Sequence, residues 1–249
     1  MLSPSLVLLS NQSALGQALD IIANNVANSN TGAFKREGIE FDTLVNQPTG
    51  GQPINFVTDR STYRDTSTGP IQPTGNQLDL AIEGSGYFQV QIPDGTTRYT
   101  RSGSFHLNEQ GEIATQSGQL VLSDGGAPII VPDTVREITV TGDGTVSARV
   151  NNGVDLAVLG KVGIASFANE QQMQPQGNGL YTTTQTPLPT VDKAIVIQGS
   201  LEQSNVKPIN EMTDLIRVQR AYEQAANMIS QENQRLDNAI TVLAKTTAN

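Results

Sequence analysis

A heptad pattern near the C-terminus constrains the fold more than any other feature of the sequence. Its ten positions are separated alternately by three and four residues, and eight of them are apolar. A pattern sustained over four heptads is typical of a coiled-coil helix. Pro208 can begin this helix, which we expect to reach residue 247. The ten positions are Met212, Leu215, Gln219, Tyr222, Ala226, Ile229, Asn233, Leu236, Ile240 and Leu243.

The length of this helix limits where it can pack. Residues 208–247 would extend about 60 Å, whereas a β domain of about 130 residues has a radius of gyration of only about 14 Å. The helix therefore cannot lie wholly on such a domain. Its apolar seam must pack on a second helix of the same chain, on other subunits, or on both.

A second helix is predicted at the N-terminus. Ser3 and Pro4 resemble an N-cap and a first helical residue, and the helix should end near Asn28. Its seam positions are spaced 4-3-4-3-4, and five of the six are apolar. A hairpin of the two terminal helices within one monomer is therefore an open alternative to packing between subunits. The six positions are Leu8, Gln12, Leu15, Leu19, Ile22 and Val26.

The middle of the chain has the pattern of an antiparallel β domain. Short alternating runs such as YFQVQI and TVSARV lie between closely spaced turn signals such as Pro93-Asp94-Gly95 and Gly142-Asp143-Gly144. The predicted fold class is α+β, with a coiled-coil-like domain of N- and C-terminal helices and a central all-β domain. We expect an N-terminal helix in 1–30, an extended connector with one short hairpin in 31–71, the β domain in 72–204 and the C-terminal helix in 205–249.

Composition excludes several classes of function. The formal charge is −9, with 15 basic residues against 24 acidic ones, so the chain lacks the basic surface that binds nucleic acid. Cysteine is absent, which removes disulfides and thiolate metal sites. The first cation is Lys35, so a Sec signal with a basic start is not expected. We also expect no membrane insertion, because no run approaches the about 20 apolar residues of a span.

Catalytic patterns are weak. His106 is the single histidine, and no nucleophile elbow accompanies it. Gly84-Ser85-Gly86 lacks both the third glycine and the helix of a phosphate-binding loop. Asp143 stands alone where a calcium loop would need several acids, so a hairpin turn is expected there. We predict no catalytic, cofactor or metal site.

Three segments resemble the flagellar axial proteins, which are the rod and hook proteins of the bacterial flagellum. The first contains Ala23-Asn24-Asn25-Val26-Ala27-Asn28 followed by Thr31 and Phe34-Lys35. The second is LDLAIEGSGYFQVQIPDGTTRYTRSGSFHLNEQGEIAT, residues 78–115. The third is GSLEQSNVKPINEMTDLIRVQRAYEQAANMI, residues 199–229. The residues that carry the family motifs at the two ends are Asn24, Asn25, Asn28, Phe34, Lys35, Ser204, Asn205, Gln219, Arg220, Tyr222 and Glu223.

The resemblance implies a structural subunit of the basal-body rod, the helical drive shaft that transmits torque. It implies partners among other rod proteins, copies of the same chain and the flagellar type III export apparatus. It also implies export without a cleaved signal peptide and a location in the rod that crosses the periplasm. Chain length and the stretch 205–209 are more similar to a proximal than to a distal rod member, which is the first alternative. The second is a secreted glycan-binding or hydrolytic β module with helical oligomerisation tails.

One position departs from the family pattern. The family has glycine directly before the aromatic residue, and here Ala33 precedes Phe34. We expect either a turn shifted by one residue or a negative φ at Ala33. For the two cations that follow, Lys35 and Arg36, we predict ion pairs with acids of an adjacent subunit.

Overall fold

The structure is a computed structural model that describes residues 4–46, 54–132, 135–150, 155–188 and 194–246. The chain divides into two compact units. We call them the helical unit (Met1–Ser29, Arg36–Asp65 and Val206–Asn249) and the β unit (Asn30–Lys35 and Thr66–Asn205). Terminal helices and an antiparallel β region confirm the predicted α+β class.

The helical unit contains two helices and one hairpin. Helix α1 spans Pro4–Ala27 and helix α2 spans Pro208–Thr246. Strands β1 (Glu37–Asn46) and β2 (Ile54–Arg64) pair antiparallel. Helix α1 packs against α2 and against both strands. The bounds of both helices agree with the heptad patterns, although Ser3, the expected N-cap of α1, lies outside the described residues.

The two helices run antiparallel. Asn25 of α1 contacts Glu211 near the start of α2, and a β-carbon added at Gly16 would lie 3.8 Å from the Tyr222 ring. Moving back along α1 therefore means moving forward along α2. At equal rise per residue, Pro4 lies opposite about residue 234. The last three turns of α2 extend beyond the described part of α1.

Residues 31–71 contain more structure than an extended connector with one short hairpin. Strands β1 and β2 are 10 and 11 residues long, with a bulge between Glu40 and Phe41. A two-stranded hairpin is at best marginally stable alone in water, and this one gains a partner in α1. Because pairing with a distant helix leaves no local signal, the polar sequence of this segment favoured a connector.

The segment Leu6–Ala27 of α1 is long and apolar enough to cross a membrane by length and composition alone. This differs from our count of apolar runs, because leucine, isoleucine, valine and alanine raise the mean hydropathy although polar residues interrupt the run. The same test is passed by core helices of water-soluble proteins and by signal sequences.

The β unit is built from short strands that all pair antiparallel, with a short 3-10 helix at Glu170–Gln172. Its strands are β3 (Ile71–Pro73), β4 (Leu80–Glu83), β5 (Tyr87–Gln91), β6 (Thr97–Thr100), β7 (Phe105–Leu107), β8 (Ile113–Thr115), β9 (Leu120–Val121), β10 (Val135–Val140), β11 (Thr145–Val150), β12 (Asp155–Lys161), β13 (Ile164–Ala165), β14 (Gln174–Pro175), β15 (Leu180–Thr182), β16 (Ile195–Gln198) and β17 (Ser200–Glu202).

The largest sheet has the order β14-β15-β6-β5-β9-β8-β7, and β13 also pairs with β5. Strands β10, β11 and β12 form a meander, while β16 pairs with β4 and β17 with β3. The last two pairings return the chain to the start of the β unit. They place Glu202 opposite Ile71 before α2 begins.

The β unit has its own apolar core. Phe88 and Phe105 meet edge to face with ring centroids 5.2 Å apart, a favourable aromatic geometry. The alternation predicted for YFQVQI is present, since Phe88 and Val90 are fully buried while Gln89 and Gln91 are half-buried. The buried residues of this core are Leu80, Ile82, Phe88, Val90, Phe105, Ile113, Val121, Ile129, Val131, Ile138, Val140, Val146, Val162, Leu180 and Val196.

Candidate functional site

The end of α2 exposes the apolar seam predicted from the heptads. Every residue from Asn233 to Val242 is exposed, including Leu236 and Ile240, which stay 42% and 63% accessible. Both continue the helix face that carries Leu215, Tyr222 and Ile229. The reason for the exposure is geometric, because no described residue of α1 reaches this far along α2. The side chain of Leu243 lies outside the described part of the structure.

The middle of the same seam is covered. Leu215, Tyr222, Ala226 and Ile229 are half-buried, as expected for a helix pair whose other sides face solvent. Met212, at the start of α2, is again 51% exposed. The predicted seam thus packs within the chain only in part, because Gln219 in its middle is exposed, as are Met212 and the positions from Asn233 onward.

The α1 seam shows a similar gradient. Ile22 is buried, whereas Leu8, Leu15, Leu19 and Val26 are half-buried. Large apolar side chains outside the predicted seam are also exposed near the start of α1, namely Leu6 and Leu9. Burial therefore increases toward the C-terminal end of α1.

A buried amide ties the elements of the helical unit together. Asn25 is fully buried, and its Nδ2 donates to Glu37 O at 2.8 Å and to Glu211 Oε2 at 3.1 Å. The Glu37 N–H donates back to Asn25 Oδ1 at 2.9 Å. Arg36 Nε donates to the other carboxylate oxygen of Glu211 at 2.6 Å. One asparagine thereby joins α1, β1 and α2, which answers why an asparagine occupies a position on the buried face of a helix.

Two other motif asparagines, Asn28 and Asn205, donate side-chain hydrogen bonds to backbone carbonyls. Asn24 is exposed, and Asn28 Nδ2 donates to Asn24 O at 3.0 Å, satisfying a carbonyl at the end of α1. Asn205 Nδ2 donates to Ser67 O at 3.1 Å within the β unit. Ser204 is buried.

The other motif residues lie on the surface of α2 or beside the turn after α1. Gln219, Arg220 and Glu223 are exposed, and Gln219 Nε2 donates to Glu223 Oε1 at 3.3 Å. Phe34 is half-buried, and its carbonyl accepts from the Asn205 N–H at 3.3 Å. Neither Arg220 nor Phe34 joins the Asn25 network.

A buried ion cluster lies in the β unit. Lys35 Nζ is 2.5 Å from Glu202 Oε1, and both side chains are almost fully buried. Lys35 also donates to Ser67 O at 2.7 Å, and the Gly69 N–H donates to Glu202 Oε1 at 2.9 Å. A β-carbon at Gly69 would lie 2.0 Å from the Gln203 carbonyl oxygen, so only glycine allows this approach.

Arg101 is the second cation of this cluster. Its Nη1 lies 3.4 Å from Glu202 Oε2 and donates to Ile82 O at 3.0 Å, while Nη2 donates to Gly84 O at 2.5 Å. Its guanidinium carbon stands 5.4 Å from the centre of the Tyr87 ring. Two cations thus share one buried carboxylate. Backbone carbonyls accept from Lys35 Nζ and from both Nη groups of Arg101, whereas Arg101 Nε is buried without a hydrogen-bond partner. We call Lys35, Arg101 and Glu202 the buried ion cluster.

The prediction that Lys35 and Arg36 pair with an adjacent subunit is wrong. Lys35 pairs with Glu202, and Arg36 pairs with Glu211, both within the same chain. The partners lie 167 and 175 residues away, so they could not be assigned from local sequence.

The expectations for Ala33 are also wrong. Its φ is +59°, so the backbone takes the left-handed conformation without a glycine. Ala33 is buried, and its N–H donates to Glu202 O at 2.9 Å. This conformation costs an alanine roughly 1–2 kcal/mol. The turn keeps the geometry expected with glycine, and the surrounding hydrogen bonds hold the alanine in it.

Burial and charge shift several pKa values. Burial lowers the pKa of Lys35, and the attraction of Glu202 opposes this effect. The hydrogen bond to Glu211 raises the pKa of Arg36. Burial and the neighbouring Glu170 carboxylate raise the pKa of Tyr87, whose hydroxyl donates to Glu170 at 2.9 Å. Each of these groups is paired with a carboxylate: Lys35 with Glu202, Arg36 with Glu211 and Tyr87 with Glu170.

The two other candidate residues, His106 and Asp143, lie on a strand and in a turn of the β unit. His106 is half-buried on β7. Asp143 lies in the β10–β11 turn, where it accepts hydrogen bonds from Thr141 and Thr145 that lower its pKa to about 2. This confirms the hairpin turn. In the described part of the chain, no group of three or more His, Cys, Asp or Glu residues could hold a metal ion.

Comparisons with known proteins match the same three segments. Residues 6–35 match the family described as flagella basal body rod protein. Residues 81–148 match the flagellar hook protein FlgE/F/G D1 domain, and residues 197–242 match the flagellar basal body rod FlgEFG protein C-terminal family. The flagellar basal-body rod protein FlgF of Caulobacter vibrioides is 39% identical over 243 residues, which cover 95% of this chain and 96% of that protein.

The chain belongs to the flagellar basal-body rod protein family. A second FlgF relative, from Mesorhizobium japonicum, is 38% identical and also covers 95% of this chain. The FlgG of Agrobacterium fabrum is 38% identical but covers 85%. The suspected resemblance is confirmed, and the greater coverage favours the FlgF type over the FlgG type. The rod-family matches at the two ends contain the exposed helix faces and the Asn25–Glu211 contact.

Proposed function

We propose that this chain is a structural subunit of the flagellar basal-body rod and that its terminal helices complete their packing against neighbouring subunits. The observation that carries the proposal is the exposed end of α2, where Leu236 and Ile240 lie uncovered on the face that is covered along the middle of the helix. Rod subunits must bind one another, and an exposed apolar helix face provides a surface for that binding.

Apolar burial supplies the driving force. Removing apolar surface from water contributes about 25 cal/mol per Å², and each subunit offers uncovered apolar side chains at both ends of α2. Part of this gain is lost to the ordering of helices and side chains on assembly. Repeated contacts with several neighbours, each individually modest, suit a polymer that must be both rigid and buildable from soluble subunits.

The two units would then have different tasks. The helical unit supplies the helix-to-helix contacts between subunits, and the β unit supplies a domain with its own core. Subunits that meet through different faces build an open helical polymer rather than a closed dimer. Such a polymer can transmit torque because each subunit keeps its own rigid β core.

We further propose that the subunit is exported by the flagellar type III apparatus without signal cleavage and resides in the rod where it crosses the periplasm. Membership of the flagellar basal-body rod protein family supports this route. Membrane insertion of α1 is not part of the proposal, because Asn25 on that helix is engaged with Glu37 and Glu211. The partners are other rod proteins and copies of this chain.

We propose no catalytic activity. The buried ionisable groups that could serve as acid or base are held in pairs, as in the buried ion cluster and in Glu211 with Arg36. The alternative of a secreted glycan-binding or hydrolytic module predicts that purified full-length chain binds or cleaves peptidoglycan. Loss of such activity on substitution of a single carboxylate would support that alternative instead.

Deletion and complementation test the structural role. Cells lacking this chain should form incomplete basal bodies and be non-motile, and expression of the chain should restore both. Leu19→Asp with Ile22→Asp should leave the β-sheet circular dichroism signal intact but abolish incorporation into purified basal bodies. Normal basal bodies in the deletion strain would contradict the proposal. Antibody labelling along isolated rods would separate a proximal from a distal position.

A further inference from the structure

We infer that the buried hydrogen bonds around Asn25 and Glu211 fix the register of the helix pair, and thereby decide which part of α2 is left uncovered. We call these bonds the register network. They join the side chains of Asn25, Arg36 and Glu211 and the backbone of Glu37. All four residues lie in the helical unit. The inference concerns the fold of a single chain, so it does not depend on the proposed role in the rod.

The apolar seams of the two helices permit more than one register. Their positions recur at alternating intervals of three and four residues. A displacement by seven residues, or about 10 Å along the helix axis, therefore brings seam positions opposite seam positions again. Leu15, Leu19 and Ile229 are only half-buried in the observed pair, so the packing of the seam discriminates little between the two registers.

The length difference between the helices leaves room for such a displacement. Helix α1 has 24 residues and α2 has 39, so α1 covers the same length of α2 in either register. In the observed register, a β-carbon on Gly16 meets the Tyr222 ring. If Ile229 took the place of Tyr222, Leu236 would become covered and Leu215 uncovered. One leucine is exchanged for another, so the burial of apolar surface does not select the observed register.

The register network is compatible with one register only. Asn25 Nδ2 donates to Glu37 O at 2.8 Å and to Glu211 Oε2 at 3.1 Å, and Arg36 Nε donates to Glu211 Oε1 at 2.6 Å. The seven-residue displacement puts Val218 in the place of Glu211, and valine has no side-chain acceptor. Asn25 would then be buried without its carboxylate, which is costly for a buried donor. A polar residue in a helix seam specifies register in this way.

Burial supports this division of roles. Among the described residues of α1 and α2, Asn25 and Glu211 are more completely buried than the apolar residues Ala14, Ile22 and Ala225. Strand β1 adds a reference outside both helices, because the backbone of one of its residues bonds to both the donor and the acceptor of the Asn25 amide. The register network therefore aligns each helix against the same strand.

The register network acts over the whole length of α2. In the observed register, the last turns of α2 extend beyond the described part of α1. In the displaced register, these turns would be covered, and the first two turns of α2 would be uncovered instead. The exposure of Leu236 and Ile240 is thus set by contacts that Glu211 makes near the other end of the helix.

Cysteine cross-linking measures the register, because the chain contains no cysteine. Gly16→Cys with Tyr222→Cys reports the observed register, and Gly16→Cys with Ile229→Cys reports the displaced one. Each pair is placed in the otherwise unmodified full-length chain, in Glu211→Met and in Glu211→Gln, which keeps an oxygen that can accept from Asn25. The purified monomer is oxidised with copper–phenanthroline at low concentration, and the intramolecular disulfide is detected by its faster migration in non-reducing electrophoresis.

We expect the 16–222 disulfide, and not the 16–229 disulfide, in the unmodified chain and in Glu211→Gln. Glu211→Met should shift disulfide formation from 16–222 to 16–229, because methionine fills the space of the glutamate without accepting the hydrogen bonds. The helical circular dichroism signal at 222 nm should be retained in all three chains, which shows that the helices are still formed.

Four results would overturn the inference. If Glu211→Met still formed only the 16–222 disulfide, the connections of the helices to the rest of the chain would hold the register. A displaced register in Glu211→Gln, or equal formation of both disulfides in the unmodified chain, would show that the network does not select it. Loss of the helical signal in Glu211→Met would make the network a source of stability alone. Incorporation into basal bodies is measured separately, so none of these results decides the proposed rod role.

Discussion

The β unit and the helical unit differ in how far they bury their large apolar side chains. In the β unit, Phe88, Val90 and Val121 are fully buried in a core made by the unit itself. In the helical unit, large apolar side chains of α2 are exposed to solvent: Met212 is 51% exposed, Leu236 42% and Ile240 63%. The β unit also exposes large apolar side chains, such as Ile130 at 56% and Val158 at 69%, but it has a buried core of its own. On α2, Leu236 and Ile240 continue a helix face that is packed farther along the helix, as expected for a subunit that is completed by neighbours.

Polar groups show a second side of the same comparison. Both units contain a buried charged group, Glu202 in the β unit and Glu211 in the helical unit. Each is satisfied by groups of its own unit. The helical unit is therefore held together by its own buried hydrogen bonds near the start of α2, whereas the end of α2 is exposed. One helix thus has both an internally packed part and an exposed part.

The largest effect should come from the β core. Phe88→Ala removes a fully buried ring and should destabilise the β unit by about 4 kcal/mol, since such truncations cost roughly 3–5 kcal/mol. Urea unfolding followed by the β-sheet circular dichroism signal measures this. The matched change Ile240→Ala on α2 should cost less than about 0.5 kcal/mol. Equal losses for the two variants would remove the contrast between the units.

A smaller loss is expected from the buried ion cluster. Glu202→Gln keeps the shape but leaves Lys35 and Arg101 without a buried counter-charge, and should cost about 3 kcal/mol in the β unit. The control Glu137→Gln breaks a pair whose side chains are half exposed, and should change stability by less than about 1 kcal/mol. Unfolding midpoints in urea compare them. Similar values would show that burial adds nothing to the role of Glu202.

Neighbouring asparagines allow a sharper test in the helical unit. Asn25→Ala leaves the Glu37 N–H without its acceptor and Glu211 Oε2 without its Asn25 donor, although Arg36 still donates to Glu211 Oε1. The helical unit should therefore lose about 2 kcal/mol of stability. Asn24→Ala, one residue earlier and exposed, should lose less than about 0.5 kcal/mol. Thermal unfolding at 222 nm measures both. Equal sensitivity at the two positions would contradict the central place of Asn25.

The smallest stability change should be a gain. Ala33→Gly relieves the left-handed backbone at φ +59° and should stabilise the β unit by about 1 kcal/mol. Ala148→Gly is the control, because this buried strand residue should lose about 1 kcal/mol instead. Denaturation by urea gives both signs. A loss at position 33 would mean that the methyl contact outweighs the backbone strain.

The sequence predicted the elements that have a periodic side-chain pattern, but it did not predict contacts between residues far apart in the chain. The heptads gave nearly the full extent of α2, from Pro208 to Thr246, because side-chain spacing and helical pitch share one period. The alternating run around Phe88 likewise predicted a strand. The Lys35–Glu202 pair joins residues 167 positions apart, and no local pattern encodes such a partner. The long β1–β2 hairpin was missed for the same reason, since its support comes from α1.

The candidate surface was predictable in part. The seam residues Met212, Leu236 and Ile240 came from the heptads alone. The exposure of Leu236 and Ile240 depends on where α1 begins, whereas Met212 lies opposite the end of α1, where Glu211 is the buried residue. Ile209 and Ile216 lie outside the predicted seam and are 80% and 53% exposed, which only the structure shows. A pattern predicts that a face exists, whereas the lengths of two helices decide which part of it is left uncovered.

One measurement tests most directly the claim that neighbours complete the helical unit. Leu236→Asp with Ile240→Asp places two charges on the exposed end of α2. Incorporation of the full-length variant into purified basal bodies is then compared with that of the unmodified chain. We expect monomer stability to change by less than about 0.5 kcal/mol, because both positions are exposed, while incorporation and motility are lost. Normal incorporation, or a collapse of the monomer itself, would contradict the claim that this surface belongs to the assembly.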